Sequence, residues 1–174
     1  MGNGARVLVE RALAAAGDDR VTLAFDRFLA HYGDHLLDHT GPYAGIPALL
    51  EGLTAAGATF SLVSNKPEGM CRAILAGLGW AARFGAVVGG DSLPSRKPDP
   101  AGVTWVRAQH GASSRRTLYV GDSVVDLETA RAANVGFCGV AWGFAPQALR
   151  AAHPERMATH PADVFDFVVS AAGG

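Results

Sequence analysis

The run Thr117-Leu118-Tyr119-Val120 passes without a spacer into Gly121-Asp122-Ser123, and Leu127, Ala130, Ala133 and Val135 follow at helix-like intervals. This order predicts strand, tight turn, helix. Such a turn lies at the carboxyl end of a strand, where open α/β sheets place their ligands. Asp122 ends the strand and Asp126 falls in the first helical turn. Both can face one crevice. Hard oxygen ligands of this kind suit Mg²⁺, which keeps several waters and completes its shell with phosphate. The same residues also suit a plain turn and a helix amino terminus, where carboxylates are favoured without any metal.

The rest of the chain repeats the alternation. Ile46 to Ala56 reads as a helix, Thr59 to Val63 as a strand, and Glu68 to Leu78 as a helix. Ala86 to Val88 is a short strand, and the loop Pro94 to Pro100 leads into a helix through His110. After the opening segment come a last strand, Gly136 to Trp142, and a short helix over 161–171. The order β-α-β-α-β-α-β implies an α/β fold, a parallel sheet with helices on both faces. Residues 1–40 differ. They read as two amphipathic helices, Val7 to Ala15 and Leu23 to Leu37, ended by Thr40-Gly41-Pro42. The expected units are therefore 1–41 and 42–174. His31, His35 and His39 have metal-ligand spacing on a helix, but Asp34 and Asp38 interleave and no cysteine accompanies them. They are read as a polar helix face.

Composition narrows the partners. With 49% hydrophobic and 18% charged residues, the chain can bury a core. A net charge of −1 offers no basic field for nucleic acid or an anionic membrane. No apolar run reaches membrane-spanning length and no secretory leader is visible. Cys71 and Cys138 sit in apolar contexts and are expected to be buried free thiols, which points to a cytoplasmic protein. Of the 15 basic residues only Lys66 and Lys97 are lysines, each followed by proline.

Three strand-end loops carry polar groups: Ser64 and Asn65 on the first, Lys97 on the second, Asp122 and Asp126 on the third. A phosphoryl site needs donors for its oxygens, a cation near the transferring group and a metal to bridge charge. Singly, Ser64 suits a helix cap and Lys97 a solvated charge. Together and in this order they point to phosphate.

That order resembles the haloacid dehalogenase superfamily of phosphatases. Leu62-Val63-Ser64-Asn65 is similar to its second motif, Lys97-Pro98-Asp99-Pro100 to its third, and Gly121-Asp122-Ser123-Val124-Val125-Asp126 to its fourth. Within it, Gly2-Asn3-Gly4, Tyr43-Ala44-Gly45-Ile46 and Gly139-Val140-Ala141-Trp142-Gly143-Phe144 look most like phosphoglycolate phosphatases. The resemblance implies phosphate binding by Ser64 and Asn65 and a catalytic Lys97 touching both phosphate and nucleophile. It implies Mg²⁺ on Asp122 with Asp126 assisting, and a small phosphorylated metabolite, 2-phosphoglycolate first, as substrate. Residues 1–41 would be a partial helical cap.

The family's first motif is absent: Asp-x-Asp at the end of the first strand, supplying nucleophile and general acid/base. Asp18, Asp19, Asp26, Asp34 and Asp38 precede the core, and none follows an apolar strand run. The resemblance therefore implies a sheet lacking its first strand, with a gap between the strands ending at Ser64 and at Asp122. It also implies a truncated chain beginning inside its cap and inactive alone. A capped sugar-phosphate phosphatase and a non-catalytic phosphate-binding remnant are the alternatives.

Overall fold

The computed structural model describes residues 9–13 and 21–172. Residues 9–13 are helical, and the rest of the first expected helix lies outside the described residues. Then follow α1 (Val21–Asp34), α2 (Ile46–Ala55), β1 (Phe60–Val63), α3 (Glu68–Gly77), β2 (Phe84–Val88) and α4 (Ala101–His110). The second half runs β3 (Leu118–Gly121), α5 (Val124–Ala132), β4 (Gly136–Val140), α6 (Pro146–Ala151), β5 (Met157–Ala158) and α7 (Pro161–Ala172). The α/β alternation stands as read from the sequence. Two elements are additions: α6, where Pro146 supplies a ready-made first turn, and the two-residue β5.

All strand pairs are parallel, and they fall into two sheets. β1 pairs with β2, Leu62 opposite Val87 and Val63 opposite Val88. β3 pairs with β4, Tyr119 opposite Phe137 and Gly121 opposite Gly139, and β4 pairs with β5. Among the described residues neither β1 nor β3 has a ladder partner on its other side. The two open edges face each other, bridged by one side chain, Tyr119, whose hydroxyl lies 3.3 Å from the Val63 carbonyl. Val120 records the consequence. Its ladder partner Cys138 is fully buried, yet Val120 is 45% exposed. Val120 lines the groove between the two open edges.

The sheets do not close on each other because each has its own core. In the larger sheet Phe137 points to one face, where it packs with Leu127, Ala130 and Leu149 from α5 and α6. Cys138 points to the other and packs with Val140, Ala158 and Val164, the last from α7. In the smaller sheet Val87 packs with Cys71 and Leu75 of α3. Full burial of one such side chain is worth about 1.5–3 kcal/mol. Sliding β1 onto β3 would shear these contacts to gain a few hydrogen bonds worth about 0.5–1.5 kcal/mol each.

α1 is held more lightly. It buries no residue of its own, and the turn after it anchors through Leu36, which is buried. It ends three residues before Leu37, the expected end, because Leu36 and Leu37 turn back toward α3; a Cβ on Gly77 would stand 2.3 Å from the Leu37 side chain.

Candidate active site

The ends of β1, β2 and β3 bring three loops together. Ser64 extends β1 by one bond, its N–H donating to the Val88 carbonyl at 2.9 Å. Its Oγ accepts the Lys66 N–H at 3.1 Å, and the same hydroxyl lies within hydrogen-bond reach of the Cys71 thiol. Asn65 Nδ2 donates to the Lys97 carbonyl at 3.1 Å, tying the first loop to the second. The loop after β2 presses against this turn. A Cβ on Gly90 would lie 2.4 Å from the Asn65 carbonyl oxygen, an approach that only glycine admits.

Lys97 and Asp126 form the central pair. Lys97 Nζ donates to Asp126 Oδ1 at 2.6 Å, with the two side chains only 14% and 8% exposed. The Tyr119 hydroxyl is 3.3 Å from the same oxygen. Asp126 Oδ2 accepts the N–H groups of Asp122 and Ser123 and the Ser123 hydroxyl, at 3.2, 3.1 and 2.7 Å. Ser123 and Asp126 thus close a capping box on α5. Burial pushes the Asp126 carboxyl up, but the Lys97 ammonium, the Ser123 hydroxyl and the Asp122 N–H outweigh it and hold the group below its ordinary value. Burial, reinforced by the Asp126 charge, raises the Tyr119 phenol far above its own, so it remains a donor.

Asp122 is placed differently. Its Oδ2 accepts the Phe144 N–H at 3.1 Å, and its Oδ1 accepts no hydrogen bond among the described residues. Asp126 has both oxygens engaged. The donor set therefore suits Mg²⁺ at one inner position, Asp122 Oδ1, with Asp126 acting from outside by fixing the Asp122 backbone. No cluster of three or more His, Cys, Asp or Glu suited to a metal occurs among the described residues. Mg²⁺ needs no such cage, since one or two carboxylates with waters and a phosphate suffice.

Ser64, Lys97, Asp122 and Asp126 all line one groove of about 340 Å³, which lies between the open edges of β1 and β3 and is walled by Leu62 and Val120. One ammonium faces two carboxylates there, a single net negative charge. A phosphate dianion would be repelled, and a divalent cation on Asp122 reverses the sign. A larger cavity of about 790 Å³ lies at the other end of the strands, flanked by Ala58 before β1 and Thr117 before β3.

Lys66, the other lysine, turns away from this groove. Its Nζ reaches the Tyr32 hydroxyl of α1 and lies 4.7 Å from that ring's centroid. The His31 and His35 rings meet at a tilt, centroids 4.4 Å apart, and His35 Nδ1 meets Asp38 Oδ2 at 2.6 Å on an exposed surface. Cys71 and Cys138 are free and buried, and burial raises both thiols. Sequence reading missed Tyr119 and the Phe144 amide. The first is signalled only by a tyrosine two residues before the Gly-Asp turn, and a backbone donor has no sequence signal at all.

The family model of the haloacid dehalogenase-like hydrolases matches residues 1–140. Phosphoglycolate phosphatase of Rhodospirillum rubrum is 43% identical over 152 residues, covering 83% of this chain and 63% of that protein. Phosphoglycolate phosphatase of Mesorhizobium japonicum is 33% identical over 164 residues, covering 92% and 72%. The crystal structure of a predicted phosphoglycolate phosphatase from Haemophilus somnus superposes with a TM-score of 0.87 at 30% identity, covering 96% of this chain and 78% of that one. The chain spans less than two thirds of the length of the first relatives it matches, 63% and 64%. The family model and these identities together show that the chain belongs to the haloacid dehalogenase-like hydrolase family.

Proposed function

We propose that this chain carries the phosphate- and metal-binding part of a Mg²⁺-dependent phosphate monoester hydrolase acting on 2-phosphoglycolate. The observation that carries the reading is the convergence of Ser64, Lys97, Asp122 and Asp126 on one groove at the strand ends. The substrate is taken from the names of the relatives. Ser64 donates its hydroxyl proton to a phosphate oxygen. Lys97, oriented by Asp126, offers its remaining N–H donors to the same group. Asn65 keeps the Lys97 backbone in place. Mg²⁺ on Asp122 would neutralise the phosphate and polarise it toward attack. Residues 1–41 are read as a partial cap, of which the described helix α1 meets the phosphate loop through Tyr32 and Lys66.

The described residues offer no nucleophile in the groove. Asp126 is consumed by its hydrogen bonds and Asp122 is the metal ligand. The groove between β1 and β3 is read as the seat of a further parallel strand bearing two carboxylates, one to attack phosphorus and one to move the proton. Two open strand edges and the exposed Val120 support that reading. Without that strand the chain binds phosphate but does not turn it over. Two buried free thiols favour a reducing, cytoplasmic setting, and no helix among the described residues is long and apolar enough to cross a membrane.

Calorimetric titration of the chain with 2-phosphoglycolate tests the binding half. Binding is expected only with Mg²⁺ present, and Lys97→Ala or Asp122→Ala should abolish it. Equal binding by wild type and both variants would reject the site.

A further inference from the structure

The loop after β4 has no part in the chemistry outlined above, yet it touches Asp122 directly. β3 and β4 run in register, with Gly121 opposite Gly139, so the chain leaving β4 passes beside the turn that carries Asp122. Gly143 lies flat against that side chain. A Cβ there would stand 2.1 Å from Asp122 Cβ and 2.6 Å from Oδ2, far inside contact distance. The next amide, of Phe144, donates to Oδ2 at 3.1 Å. The Phe144 side chain is 72% exposed, so this position is held for its backbone and not for its ring.

We infer that Gly143 and the Phe144 N–H form a positioning clamp that fixes the Asp122 carboxylate, leaving Oδ1 as the one oxygen presented to a divalent cation. The inference rests on the reading of Asp122 as a metal ligand and adds the residues that set its affinity. A carboxylate free to rotate about its χ angles must be ordered when the cation binds. One whose second oxygen is already bonded is ordered beforehand, as outer hydrogen-bond partners do at metal sites generally. The clamp is a backbone donor, so its sequence requirement is the absence of a side chain at 143.

The probe is Mn²⁺, followed by paramagnetic broadening of backbone amides in ¹⁵N-labelled chain, which reads weak binding without any turnover. In the wild type the amides of Asp122, Ser123 and Phe144 should broaden first. Asp122→Asn should abolish this selective broadening. Gly143→Ala should weaken Mn²⁺ binding roughly 10–100-fold, the usual cost of losing an outer partner. Phe144→Pro removes the donor without adding a Cβ at 143 and should weaken it similarly, which covers the case in which Gly143→Ala does not fold. Phe144→Ala keeps the N–H and should stay within about twofold, well short of that loss. If Asp122→Asn abolishes binding while Gly143→Ala and Phe144→Pro match the wild type, the clamp is wrong and the metal reading stands. If Phe144→Ala is as damaging as Phe144→Pro, the ring and not the amide matters, and the clamp is also wrong. If Asp122→Asn changes nothing, the metal reading itself fails.

Discussion

Asp122 and Asp126 are four residues apart and chemically identical, yet the structure gives them opposite burdens. Asp126 is buried, paired with Lys97 and bonded by three donors of the turn. Removing one partner of such a pair leaves a buried charge uncompensated. Asp126→Ala should therefore cost about 3–5 kcal/mol of stability. Asp122→Ala loses a single bond to an amide, about 0.5–1.5 kcal/mol. Urea denaturation of the two variants checks the difference, and equal losses would refute the division of roles. Acid tests the Asp126 pair as well. The folded-state pKa of Asp126 is lowered from its ordinary value of 3.8, so its stabilisation is complete above that value and is lost as pH falls through the lower, folded value. The urea midpoint of the wild type should drop as pH falls below about 4, and Asp126→Asn should lack that part of the dependence. A midpoint equally acid-sensitive in both proteins would contradict the pairing.

At the scale of elements, the strands divide by what covers their edges. β4 is flanked by β3 and β5 and sandwiched between two core clusters. β1 and β3 each have one open edge. Amide exchange should be slowest across Phe137 to Val140 and clearly faster in β1 and β3, since backbone groups without a ladder partner exchange by small local openings. Protection of β3 equal to that of β4 would mean that its edge is covered. The cap of α5 is a second local test. Ser123→Ala removes half of the capping box and should cost about 1 kcal/mol, measurable as a shift in the thermal midpoint. The elements easiest to read from sequence were those with long apolar periodicity. β3 with α5 is one case, because Leu118 to Val120 meets the turn directly and Leu127 and Ala130 repeat at helical spacing. β5 has two residues, too few for any period, and α6 has six. Neither carries a pattern, and both are held by packing of Leu149 and Ala158 into cores made elsewhere.

The whole molecule is a parallel α/β body opened along one line. Its candidate site was legible because Ser64 and Asp122 each stand at the end of an apolar run and Lys97 falls in the loop that follows a third, and chain topology alone delivers strand ends to one edge. The partners that tune the site were not legible. Tyr119 spans the gap through a side chain whose direction depends on the strand's pleat, and Phe144 acts through a backbone N–H. Asp126 was expected to assist a metal; in the structure its two oxygens serve Lys97 and the turn, and its proposed help to Mg²⁺ passes through the Asp122 backbone. The central claim joins the open line to the chemistry: the groove binds phosphate, and turnover needs a strand with carboxylates seated between β1 and β3. General acid–base help is worth about 10²–10⁴-fold, and covalent catalysis would be lost with it. The direct measurement is phosphate release from 2-phosphoglycolate with Mg²⁺, by the 174-residue chain and by the same chain extended at its amino end with a strand ending in Asp-x-Asp. The account predicts release by the extended protein and a rate at least about 100-fold lower from the chain alone. Equal rates would contradict it, because a residue already within the chain would then be the nucleophile.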